Sequence, residues 1–205
     1  MSEYGRRAVH ASGVGLPLLY LLGLSTWTQL RYLMIAVTVV VFSLEFLRLV
    51  VGLDHWIYEE LTREYEADSV AGYAYYMLSM TAVALLFGPT VTIPAILMLA
   101  LADPISGALG RNGPHDHKRP TVVVVMFGVC FLFAAPFTIP WAGLPAGAAA
   151  AAGGALLGAV ADGIKPIIRG VAVDDNLTIP PAAAIGIAGV FWVLGVETGF
   201  DPFGV

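Results

Sequence analysis

Long apolar runs alternate with short polar connections along the whole chain. A membrane-crossing helix needs roughly 20 predominantly apolar residues, and seven runs reach or approach that length: residues 9–24, 32–53, 70–87, 91–110, 121–140, 144–161 and 178–196. Apolar residues are continuous within each run and do not alternate with polar ones, which predicts helices and argues against the strands of a membrane barrel. The first run is short and follows Arg6 and Arg7, as the core of a signal peptide would. The small-residue site after it, Gly23-Leu24-Ser25, matches a cleavage site weakly, so the run reads as the first helix. Residues 54–69 form the longest polar stretch and predict a surface helix. The sixth run is rich in Ala and Gly, with Gly154 and Gly158 four apart, a spacing that lets two membrane helices approach closely. No repeat, linker or boundary interrupts the pattern, so residues 1–205 read as one all-α, polytopic membrane domain of about seven transmembrane helices.

Composition narrows the class further. Of 205 residues, 58% are hydrophobic and only 12% charged, against about 25% charged in an ordinary soluble domain. A globule of this size keeps too much of its surface exposed to bury so much apolar area, which excludes a soluble fold, and a disordered or fibrous chain with it. The one cysteine, Cys130, excludes a disulfide framework and a cysteine-based metal site. A net charge of −5 argues against a nucleic-acid partner.

The basic residues choose an orientation. With seven crossings, Arg6, Arg7, Arg63, Arg111, Lys118, Arg119, Lys165 and Arg169 fall on the side of the N-terminus, Arg31 falls on the other, and Arg48 lies within a run. This asymmetry predicts a cytoplasmic N-terminus and an outer C-terminus. A charged, water-soluble substrate is then expected at the cytoplasmic face of the cell membrane.

Ionisable residues inside apolar runs are costly and are functional candidates by default. Glu45 and Arg48, three apart on one helix face, form either a functional pair or a self-neutralising one with Arg48 reaching for the interface. Asp103 follows the apolar stretch 96–102 and precedes Pro104, which predicts a break in the helix at that point. Broken backbone at membrane depth lines a cavity, and an acid at such a break suits cation coordination. In the next loop, His115, Asp116 and His117 are too few for zinc and read as solvated, whereas Arg111, Lys118 and Arg119 could grip a polyphosphate. Lys165 adds a further cation after the sixth run. Asp174, Asp175 and Asn176 stand together before the last run; one of them can cap a helix, and the three form a compact oxygen set of the kind that holds magnesium with substrate phosphates.

In this order the pieces resemble the dolichol kinase/phytol kinase family of CTP-dependent polyprenol kinases, which is related to membrane cytidylyltransferases. The resemblance spans nearly the whole chain: Arg6-Arg7-Ala8-Val9-His10, Glu45 through Leu49, Glu66 through Tyr76, Ala102 through Arg111, and Asp174-Asp175-Asn176-Leu177-Thr178-Ile179-Pro180. The family's Lys-Ser-x-Glu-Gly element is represented only by Lys118, which is followed here by Arg119-Pro120-Thr121-Val122, and Asp162 stands where the family often has Glu. The resemblance implies transfer of the γ-phosphoryl group of CTP to a long-chain isoprenoid alcohol, with magnesium as cofactor. Asp174, Asp175 and Asn176 would then bind the metal and triphosphate. Arg111, Lys118, Arg119 and Lys165 would contact phosphates, Arg7 and His10 would orient the headgroup, and Asp103 would be a metal ligand or the base. No phosphate-binding loop of the Gly-x-x-x-x-Gly-Lys-[Ser/Thr] type is present. A phospholipid cytidylyltransferase or a diacylglycerol-type lipid kinase would need the same set. A secondary transporter would instead spread ionisable residues across the midplane, often in repeated halves.

A topological expectation follows. In a Cys130→Ala background, cysteines placed at positions 118 and 175 are expected to react with an impermeant maleimide from the same, cytoplasmic side. Labelling from opposite sides overturns a shared site.

Overall fold

The structure is a computed structural model that describes residues 3–53, 55, 58, 62, 66–110, 117–164, 167–168 and 171–204. These residues are helical apart from turns and one short ribbon: α1 (Glu3–Ser12), α2 (Gly15–Leu21), α3 (Trp27–Phe46, continued as a π-turn over Leu47–Val51), α4 (Gly72–Leu86), α5 (Pro89–Leu109), α6 (Pro120–Gly163), a ribbon of β1 (Ile167–Ile168) paired antiparallel with β2 (Val171–Ala172), and α7 (Asp175–Val193). Among the described residues, four helices, Trp27–Val51, Pro89–Leu109, Pro120–Gly163 and Asp175–Val193, are long and apolar enough to cross a membrane. The surface helix expected over 54–69 lies largely outside the described residues.

Four expected runs are redrawn. The first is two helices, because Pro17 has no amide hydrogen and its ring excludes the carbonyl four residues back. That carbonyl, on Gly13, instead accepts from Leu16 N at 3.1 Å, and the chain turns there. The third run shortens to α4, whose 15 residues span about 22 Å. The fifth and sixth runs form one helical unit of 44 residues, which would extend about 66 Å if straight, twice the hydrocarbon core. Gly143, at φ 76° and ψ 165°, reverses the chain in a conformation open to glycine. The two arms, residues 120–142 and 144–163, run back to back, and Lys118 N donates to Gly163 O at 3.1 Å where their far ends meet.

Helix α7 packs against α6, α4 and α5 at the centre of the bundle, around buried Met80, Ile96, Met98, Met126, Ile179, Ile187 and Phe191. Its closest crossing is with the second arm of α6. A Cβ on Gly153 would lie 2.8 Å from Gly186 O, so only glycine lets the two backbones meet there. The expected small-residue contact also holds at Gly154 and Gly158, which face Ile187 and Met98.

At the end of α3 away from Glu45, Arg31 is buried, with Nε donating to Ala84 O (2.7 Å) and Nη2 to Phe87 O (3.2 Å) and Asp201 O (2.6 Å). It also pairs with Asp201 Oδ2 at 3.2 Å. The segment after α7 is thereby tied to the α4–α5 turn, reinforced by Gly88 N donating to Gly199 O at 2.7 Å. Arg31→Met is expected to cost about 2–3 kcal/mol, the value of a charged donor lost to buried carbonyls. Asp201→Asn is expected to cost under about 1 kcal/mol, because that side chain is 39% exposed and solvent screens the pair. Thermal unfolding in detergent micelles checks both.

Candidate functional site

Helix α5 does not break at Asp103. Asp103 has helical angles (φ −61°, ψ −47°), and the irregularity precedes it as a π-turn over Met98–Ala102. Pro104 supplies no hydrogen for the carbonyl of Ala100. The helix widens instead, and Asp103 N reaches back five residues to Met98 O. This frees the carbonyl of Leu99, which ordinary helical geometry would pair with Asp103 N. His10 Nε2 donates to it at 3.0 Å.

The freed carbonyl docks α1. His10 stacks edge-on against Tyr76 with ring centroids 4.5 Å apart, and Tyr76 Oη donates to His10 O at 2.8 Å. Arg7 Nη2 donates to Gly107 O, near the C-terminal end of α5, at 3.0 Å. His10 Nε2 also lies 3.6 Å from Asp103 Oδ2. Of the expected headgroup pair, His10 is therefore beside Asp103, and both residues secure α1 against α5.

The α6 hairpin brings Lys118, before the first arm, to Asp162, at the end of the second. Lys118 Nζ donates to Asp162 Oδ1 at 2.5 Å and to Ser106 Oγ at 3.0 Å, while Ser106 Oγ donates to Asp162 Oδ2 at 2.6 Å. Asp103 Oδ1 is 3.7 Å from the same ammonium. Asp175, in the first turn of α7, completes the group: Asp103, Asp162 and Asp175 each place one oxygen within 4.8 Å of the other two. Burial pulls the Lys118 pKa down, but Asp103 and Asp162 outweigh it and hold the ammonium above its usual range. The helix N-terminus behind Asp175 favours negative charge there as well.

Asp174 takes a different place from the one expected of a metal ligand. It is the N-cap of α7, with Oδ1 accepting from Asn176 N at 2.9 Å, and it lies outside the three-carboxylate group. The Asn176 side chain is buried, and its Oδ1 has no hydrogen-bond partner among the described residues. Its backbone carbonyl accepts from Ser79 Oγ at 2.6 Å.

Glu45 and Arg48 resolve into a structural knot. Glu45 Oε1 accepts from Ala71 N at 3.0 Å, and Glu66 Oε1 accepts from Gly72 N at 3.2 Å. The two carboxylates thus cap α4, whose own N-cap residue, Ala71, offers no side-chain acceptor. Arg48 pairs with Glu45 Oε2 at 2.8 Å and donates to the carbonyls of Glu66, Ala67 and Ser69.

Arg119 is exposed at the N-cap of α6 and does not join the group. Arg111, His115, Asp116 and Lys165 lie outside the described residues. Asp162 and Ser106 were not among the site residues expected from sequence. The available signal was an acid at the end of an Ala/Gly run, where a membrane helix tolerates none without a partner. Comparison of the chain with protein-family models, with curated proteins and with solved structures gives no match.

The capping geometry sets one expectation. Asp174→Ala is expected to lower stability by about 1 kcal/mol, while Asp174→Ser keeps an acceptor and loses a few tenths. Unfolding midpoints of the purified variants decide it, and equal losses would remove the cap as the role of Asp174.

Proposed function

We propose that the chain is an integral membrane kinase that transfers the γ-phosphoryl group of CTP to the hydroxyl of a long-chain isoprenoid alcohol. It would cross the membrane seven times, with the N-terminus and the active site on the cytoplasmic face. The observation that carries this reading is the convergence of Asp103, Asp162, Asp175 and Lys118, from separate elements, at one buried point. The basic bias supports a cytoplasmic position for that end of the bundle, and the resemblance of the motifs supports this choice of reaction.

The donor set fits a hard divalent cation. Asp103 and Asp175 are carboxylates on facing elements, the kind of ligand that holds magnesium together with substrate phosphates. Bound there, the ion would neutralise charge on the transferring and leaving phosphates. Lys118 supplies a fixed positive charge at the edge of the group, where a phosphate oxygen can meet it. The acceptor oxygen attacks the γ-phosphorus as the bond to the β-phosphate oxygen breaks and CDP leaves. Asp103, with 18% of its side chain exposed, is the carboxylate an incoming hydroxyl reaches most readily and accepts its proton. The alcohol's apolar tail remains among lipid chains, so its hydroxyl arrives at the membrane edge of the site.

Asp175→Asn is expected to reduce transfer by on the order of a hundredfold or more, because one negative charge is lost from a water-poor site. The assay offers CTP labelled at the γ- or at the α-phosphate to purified protein with an isoprenoid alcohol. γ-Label in the lipid supports the kinase, α-label replaces it with a cytidylyltransferase, and neither overturns both. Wild-type turnover by Asp175→Asn overturns the site assignment.

A further inference from the structure

Asp162 differs from the other two carboxylates of the group. It has no exposed surface, and each of its oxygens already accepts a hydrogen bond, Oδ1 from Lys118 Nζ at 2.5 Å and Oδ2 from Ser106 Oγ at 2.6 Å. Lys118 Nζ closes the triangle on Ser106 Oγ at 3.0 Å. The same two ends of α6 are joined through backbone, Lys118 N to Gly163 O. On the site reading proposed above, we infer that Asp162 is a positioning residue that fixes the Lys118 ammonium for the nucleotide phosphates, and that it is not a ligand of the metal.

Three physical arguments converge on this. A ligand to magnesium must turn a lone pair to the ion at about 2.0–2.1 Å, and turning Asp162 Oδ1 that way would take from Lys118 its closest anion. The Lys118 side chain is only 9% exposed, and a buried ammonium without its partner is strongly unfavourable. Second, lysine is a flexible point charge on a four-carbon stem. Fixing it before substrate arrives removes an ordering cost from the binding step. Third, the charges balance in a medium that tolerates no excess. One ammonium offsets one carboxylate, and a divalent ion offsets the remaining two, Asp103 and Asp175.

The test separates metal binding from nucleotide binding, using the full chain in detergent. Manganese affinity is measured by electron paramagnetic resonance without nucleotide, and β,γ-methylene-CTP affinity by calorimetry with the metal present. Asp175→Asn is expected to weaken manganese binding about tenfold or more, whereas Asp162→Asn leaves it within about threefold, the difference between losing a ligand and losing a neighbour. Asp162→Asn and Lys118→Met are each expected to weaken nucleotide binding about ten- to hundredfold, the worth of one charge-assisted hydrogen bond. The double variant should be no weaker than either single one, because both act through the same ammonium. Ser106→Ala, which keeps the ion pair and the fold, gives a smaller nucleotide loss with manganese binding unchanged, and decides the matter if Asp162→Asn does not fold.

Asp162→Asn weakening manganese as Asp175→Asn does, or multiplying losses in the double variant, overturns the inference. So does unchanged nucleotide affinity in a folded Asp162→Asn protein or, where that variant does not fold, in Ser106→Ala. If wild type binds manganese but no nucleotide, the kinase reading falls as well. If wild type binds both and the variants leave the nucleotide untouched, only the inference falls.

Discussion

An apolar bundle has no water to offer a polar group, so a donor or acceptor carried into it is costly unless another part of the chain meets it. Pro104 shows how far one such demand propagates. Its missing amide hydrogen widens α5 into a π-turn, which frees the carbonyl of Leu99, and His10 fills the vacancy from another helix. The docking of α1 and the position of Asp103 beside His10 thus descend from one proline in one helix.

The same demand sorts the charged residues into two kinds. Arg31, Arg48, Glu45 and Glu66 bond backbone groups at helix ends and turns, where each replaces the water that a soluble protein would use, and Arg48 and Arg31 each also pair with one carboxylate, Glu45 and Asp201. Asp103, Asp162, Asp175 and Lys118 instead meet one another. Three carboxyl groups and one amine crowd together in a poorly solvated place. That preponderance of acidic groups sets this cluster apart from the pairs that Arg31 and Arg48 make.

The hairpin of α6 is what makes that meeting possible. A 44-residue helix without a reversal would set Lys118 and Asp162 tens of ångströms apart. Gly143 folds the arms together, and the Gly153–Gly186 crossing draws α7 against the second arm, so that Asp175 arrives at the same end. Small residues with no chemistry of their own therefore set the geometry of the residues that have it.

The sequence alone determined the helices and their apolar character, because continuity of apolar side chains is a local property that needs no partner to be read. It also marked Glu45, Asp103, Lys118 and Asp175 as unusual, since a charge in or beside an apolar run is conspicuous wherever the chain goes. Tertiary structure decided what each one meets. Asp174, adjacent in sequence to Asp175, caps α7, and Glu45 meets Arg48 and the start of α4, while Asp162 joins Asp103 and Asp175. The expected helix break at Asp103 became a π-turn upstream, because the cost of the proline could be met by a side chain from α1. The partners of Asp162 lie 44 and 56 residues away along the chain, and nothing local encodes which of several acids a buried lysine will meet. That is settled by how the helices pack, through close approaches that only glycine permits and through the cost of leaving a buried charge without a partner.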